Sequence, residues 1–199
     1  MVTALTQTLP RLKWDVAHYH EAARLGVLGD RRLELLDGDI IVMPPPDPFH
    51  EWLIRQIIDL LVKALGDTAL VEKTRPVTLS ATSEPVPDIV VLQPQTHEYK
   101  YQHPEPSDVY LLIEIANSTP ERDTKVKRLL YAQAGIPEYW VFEVGKQVLK
   151  VYRDIQNREG KTDYQVDVVW SEDEIAIQAL RDRELDAQKL RRLMNDSST

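Results

Sequence analysis

The residues best equipped for chemistry in this chain are two acids set in apolar runs, with a cluster of charged residues soon after them. Asp88 follows a proline and heads the run Ile89-Val90-Val91-Leu92, and Glu114 interrupts Val109-Tyr110-Leu111-Leu112-Ile113-Glu114-Ile115-Ala116. Asp123, Lys125 and Lys127 follow in a segment of helical pattern. A carboxylate inside a strand covered on both faces must be neutralised, paired with a cation or bound to a metal. Two acids on neighbouring strands can converge on one divalent cation, and a lysine beside them can orient or deprotonate a water. That is the equipment of metal-dependent hydrolysis.

The remaining elements must position these groups. Residues 14–25 suit a short helix ending near Gly26, on which His18 and His20 are two apart and face different ways, so no shared metal is expected of that pair. Residues 32–36 and 39–43 flank Asp37-Gly38, the preferred two-residue turn, and predict an antiparallel hairpin. After a proline-rich loop, Leu53, Ile54, Ile57, Ile58, Leu61 and Leu65 form a helical stripe closed by Gly66. Strands are predicted at 69–73, 76–79, 86–92 and 109–116, with a long loop over 93–108. A helix should start with Ser118 or Thr119 as its cap and Pro120 in its first turn, and run to Ala134 before Gly135. Residues 138–144 and 147–152 flank Gly145-Lys146 as a second hairpin, and a further strand is predicted at 164–170. The charged stretch from Asp173 to Met194 reads as helix-forming.

With 199 residues and 43% hydrophobic content, the chain has enough apolar material for one domain with a real core. The expected organisation is a loose leader over 1–12, a single domain over 13–170 and a C-terminal helical segment over 171–199. A net charge of −8, from 24 basic and 32 acidic residues, counts against an extended basic surface for non-specific nucleic-acid binding. The absence of cysteine removes disulfides and thiolate sites and leaves His, Asp and Glu as metal ligands. No 18-residue apolar stretch and no secretory pattern at the N-terminus are present, so the expectation is a cytoplasmic protein without a membrane span.

Taken in order, Arg32 to Gly38, the proline-rich turn to His50, Val86-Pro87-Asp88-Ile89, Leu112-Ile113-Glu114-Ile115, Asp123 with Lys127, and Tyr131-Ala132-Gln133-Ala134-Gly135-Ile136-Pro137-Glu138-Tyr139-Trp140 resemble the PD-(D/E)xK nuclease superfamily, and within it the Uma-two family of restriction endonuclease domains. The resemblance spans roughly residues 30–152, and the string 131–140 is its most family-specific part. It implies an α/β fold of mixed α+β type: a restriction-endonuclease-like core with a central mixed sheet flanked by helices. It also implies Asp88 and Glu114 as metal-binding acids, Glu34 as the amino-terminal acid of the site and His50 as a residue lining it. The chain departs from the superfamily pattern at Ala116, where a lysine is expected two residues after the glutamate. In the family resembled, that lysine comes from the next helix, four residues after an aspartate, which matches Asp123 and Lys127.

Helical spacing puts Asp123, Lys127 and Tyr131 on one face, with Val126, Leu129 and Leu130 as the neighbouring packing stripe. Lys125 competes with Lys127 for the site, since the two lie about 160° apart around a helix and cannot both point into it. The expected function is therefore a Mg2+- or Mn2+-dependent endonuclease acting on DNA through Asp88, Glu114, Lys127 and Glu34, with a homodimer as the natural assembly for cutting a duplex. The competing expectation, motivated by the acidic balance and the displaced lysine, is a catalytically inactive nuclease-fold protein that acts through binding, as an accessory to a mobile element or defence system.

Overall fold

The structure, a computed structural model, describes residues 12–45, 47–95, 97, 99–116 and 121–195. Most of the leader and the expected helix cap at Ser118, Thr119 and Pro120 lie outside the described residues.

The first helix, α1 (Val16–Arg24), is capped by Asp15, whose side chain accepts the His18 N–H. The hairpin of β1 (Leu33–Leu36) and β2 (Asp39–Val42) closes on Asp37 and Gly38, with φ of 47° and 76°. Both values are positive, as a two-residue turn matched to strand twist requires. A side chain at Gly38 would have no room, because its Cβ would lie 2.7 Å from Lys13 Cβ and 3.1 Å from the Trp14 carbonyl. The α2 helix (Pro48–Leu65) starts where Asp47 accepts the His50 N–H and proline occupies the first turn.

The central sheet has six strands in the order β3 (Leu70–Lys73), β4 (Ile89–Leu92), β5 (Val109–Ala116), β6 (Glu138–Glu143), β7 (Val148–Arg158) and β8 (Lys161–Val169). Only β5 and β6 pair in parallel, and the other neighbours are antiparallel, so the sheet is mixed. The connection between the parallel pair carries a π-helical turn (Arg122–Lys127) running directly into α3 (Arg128–Ala134), which ends at Gly135 in the left-handed region.

Strand alternation divides the core. On one face Ile89, Val91, Leu111, Ile113 and Ile115 pack with Leu53, Ile54, Ile57 and Leu61 of α2. On the other, Val90, Leu112, Ala116, Val141 and Tyr139 pack with Tyr131 and Ala132 of α3. Every residue of β5 from Leu111 to Ala116 is buried, as expected for a strand covered on both sides. By the same alternation Glu114 shares a face with Leu112 and Ala116, beneath the π-helical turn and α3.

Several expectations are corrected. Residues 76–79 do not form a strand of the sheet, and the chain there makes a turn closed by an isolated bridge between Ser80 and Ser83. The stretch from Asp173 to Met194 is not mostly helical. It holds β9 (Glu174–Ala176) paired with β10 (Glu184–Asp186), and only then α4 (Ala187–Asn195). Ile175, Ile177, Leu185, Leu190 and Met194 join the α2 side of the core, so spaced apolar contacts override the helix preference of the charged residues between them. The expected packing stripe beside the site is also wrong: Val126 and Leu129 are exposed, while Asp123, Lys127, Tyr131 and Ala132 face inward. Asp123 and Lys127 hold the inward face of the turn, so Val126 and Leu129 are left to solvent.

Candidate active site

Register brings the two acids together. Ile89 pairs with Ile113 across β4 and β5, so Asp88, one step before β4, stands opposite Glu114. Asp88 is anchored there by its Oδ2, which accepts the Ile115 N–H at 2.8 Å. The same oxygen lies 3.2 Å from Nε2 of His50, delivered by the first turn of α2. Burial lowers the His50 pKa, but the hydrogen bond and charge of Asp88, with the charges of Asp47 and Glu51, outweigh it and leave the ring shifted upward.

Lys127 arrives from the π-helical turn and is fully buried. Its Nζ lies 2.7 Å from Glu114 Oε1 and 2.9 Å from Glu34 Oε2. Burial works against its charge, yet Glu114, Glu34 and Asp123 together push its pKa upward, so it is a permanent cation. Glu34 comes from β1 and is also fully buried, with the Val86 N–H donating to its Oε2 at 3.2 Å. The hairpin strand therefore turns this glutamate inward. The Tyr131 hydroxyl donates to Glu114 Oε1 at 3.0 Å, giving that oxygen two donors.

The π-helical turn is tied to a neighbouring strand. Its wide ladder shows in the Arg128 N–H, which reaches the Asp123 carbonyl five residues back, and the Tyr139 hydroxyl donates to the same carbonyl at 3.0 Å. Asp123 is buried beside Lys127, and burial raises its pKa while Lys127 and Arg122 oppose the rise. Arg122, which the sequence reading missed, sits 3.5 Å from Asp123 and 3.9 Å from Glu34. Its position just before the Asp123–Lys127 pair was the available signal.

The expected residues Glu34, His50, Asp88, Glu114, Asp123, Lys127 and Tyr131 thus converge. Lys125 does not: it is exposed and pairs with Glu121 at 2.9 Å on the outer side of the turn. Four carboxylates, Glu34, Asp88, Glu114 and Asp123, share the cluster with two permanent cations, Lys127 and Arg122. Burial drives the Glu114 pKa well above its ordinary value; Lys127 opposes this, and the charges of Asp88, Asp123 and Glu34 reinforce it. Glu34 Oε1 and Asp123 Oδ1 are buried without a hydrogen-bond partner. Glu138, another buried acid, differs: Trp140, Arg153 and the Gln178 N–H saturate both its oxygens at 2.6–2.8 Å, as befits a structural group.

The sequence model of the Uma2 family, described as "Putative restriction endonuclease", matches residues 16–188. This chain belongs to the Uma2 family. In fold it is similar to the crystal structure of a "putative nuclease belonging to DUF820" from Anabaena variabilis, with a TM-score of 0.63 and 17% identity, covering 83% of this chain and 92% of the other. No curated protein matches. The Uma2 match takes in every residue of the cluster from Glu34 to Tyr131 and both hairpins that frame it. Among the described residues, no helix is long and apolar enough to cross a membrane.

Proposed function

We propose that this Uma2 chain is a metal-dependent endonuclease that hydrolyses DNA phosphodiester bonds, using Mg2+ or Mn2+ held by Asp88 and Glu114. The observation that carries the reading is the convergence of four carboxylates, Glu34, Asp88, Glu114 and Asp123, in one cluster beside Lys127 and Arg122. The donor set suits a hard ion because it consists of carboxylate oxygens, and beside Asp88 and Glu114 one buried oxygen each of Glu34 and Asp123 accepts no hydrogen bond. When bound, such an ion would neutralise charge on the phosphate and acidify a water.

The chain's own residues account for the rest. Ile115 and His50 fix one oxygen of Asp88, and Tyr131 with Lys127 fixes one oxygen of Glu114. Lys127 bridges Glu114 and Glu34, keeping the spacing of the acids and supplying positive charge beside them. His50 and Arg122, with side chains 15% and 22% exposed, form the open edge, where the Arg122 guanidinium faces an incoming phosphate. Cutting both strands of a duplex calls for two such sites, so a homodimer working on cytoplasmic DNA is the assembly proposed.

A binding protein that does not cleave is the second reading, favoured by the complete burial of Lys127 between two glutamates. Magnesium-dependent nicking of supercoiled plasmid by the wild type, abolished in Asp88→Ala and in Glu114→Ala, is the expected result. Nicking that survives both substitutions overturns the assignment. Absence of Mg2+ and Mn2+ binding with both acids intact favours the second reading.

A further inference from the structure

A second group of potential ligands lies outside the Glu34–Asp88–Glu114 cluster. His20 projects from α1, Glu84 from the segment bridged to β1, and His103 from the loop before β5. One ligand atom from each lies within 4.8 Å of the other two. His20 Nε2 is 2.6 Å from Glu84 Oε1, and the His20 and His103 rings meet edge to face with centroids 5.7 Å apart. The Glu84 side chain is only 3% exposed, and the Thr78 hydroxyl donates to its other oxygen at 2.7 Å.

A hydrogen-bonded histidine and glutamate would explain the first contact but not the second imidazole. His103 Nδ1 is buried without a hydrogen-bond partner. The nearby Arg75 spends its two terminal nitrogens elsewhere, pairing with Glu72 at 2.9 Å and donating to the Tyr99 carbonyl at 2.6 Å, while its Nε has no hydrogen-bond partner. A buried carboxylate beside two imidazoles, with one oxygen already held by a hydroxyl, is the arrangement of a metal ligand and its supporting hydrogen bond. Two histidines and a glutamate suit zinc and its neighbours among the transition metals, not the hard ions that an all-carboxylate set prefers. Ligands about 2.0–2.2 Å from an ion stand closer together than 4.8 Å, so the three side chains would draw together on binding. Beside His20 and His103 opens a cavity of about 660 Å³.

We propose that His20, Glu84 and His103 form a second metal site that takes a zinc-class divalent ion, with its remaining coordination position open to this cavity. The site joins three segments distant in sequence. Glu84 exchanges both main-chain hydrogen bonds with Leu35, next to Glu34, so an ion here braces the hairpin that supplies the active-site glutamate. The inference does not depend on the nuclease reading.

The test is calorimetric titration of ZnCl2 into the untagged, metal-free full-length chain at neutral pH, with the visible absorption of bound Co2+ as a second readout. The wild type should bind one equivalent of Zn2+ at this site, and the Asp88→Asn/Glu114→Gln double variant should keep that equivalent with unchanged affinity. Binding should weaken more than about 100-fold in His20→Ala and in His103→Ala, and about 10–100-fold in Thr78→Val, which removes only the supporting hydrogen bond. His20 is half exposed, so His20→Ala keeps the test valid if a more buried substitution fails to fold. Absence of Zn2+ binding in the wild type, binding unchanged in His20→Ala, or binding lost in the Asp88→Asn/Glu114→Gln variant each overturns the proposal.

Discussion

Lys127 Nζ lies 2.7 Å from Glu114 Oε1, and the lysine is sealed completely from solvent. Removing the cation leaves Glu34 and Glu114 facing each other without a shared donor. Lys127→Ala should therefore destabilise the protein by about 3–5 kcal/mol, the usual cost of breaking a buried ion pair from one side. Lys125→Ala, which removes only an exposed pair with Glu121, should stay within about 0.5 kcal/mol of the wild type. Urea denaturation of both variants checks the contrast.

The burial of Glu114 has a pH signature. Burial, opposed by Lys127 and reinforced by the other acids, raises the Glu114 pKa well above 4.5. An acid whose pKa is higher in the folded state contributes stability that is complete below its unfolded value and fades as pH rises through the folded one. Metal-free Glu114→Gln lacks this loss, so its stability relative to the wild type should improve steadily from about pH 4.5 toward neutrality. Added Mn2+ should cancel the trend by stabilising the wild-type carboxylate. Denaturation midpoints measured across pH, with and without the ion, give the comparison.

The Tyr131 hydroxyl donates to Glu114 and its ring meets Tyr139 edge to face with centroids 4.9 Å apart. Tyr131→Phe keeps the ring contact and removes one donor to a buried carboxylate, at a cost of about 1.5–3 kcal/mol. Equilibrium unfolding measures that loss, and the Mn2+ affinity of the variant should fall with it because Glu114 is less firmly placed.

Gly38 turns the hairpin that brings Glu34 inward. Ala at this position meets both a positive φ and the Lys13 side chain, so Gly38→Ala should lower stability by at least about 1 kcal/mol. A thermal melt shows the shift.

Much of the framework was legible in the chain because it rests on local signals. The Asp37-Gly38 turn, the α2 stripe and the two-sided burial of β5 follow from turn chemistry and periodicity. Glu34 was ambiguous, since strand alternation alone does not say which face meets the core; Lys127 and the Val86 N–H decide it. The π-helical turn was not legible: it depends on the Tyr139 hydroxyl reaching the Asp123 carbonyl from another element. Val126 and Leu129 misled for the same reason, since an apolar stripe marks the core only where no polar site claims the inward face. The β9–β10 pair escaped because its strands are three residues each, half of them charged.

Calorimetric titration of Mn2+ into the metal-free protein is the most direct measurement of whether Asp88 and Glu114 hold the active-site ion. One equivalent should bind to the wild type and to His103→Ala, and binding at that site should disappear in Asp88→Asn and in Glu114→Gln. Mn2+ binding of unchanged affinity and stoichiometry in both acid variants would contradict the proposed metal site.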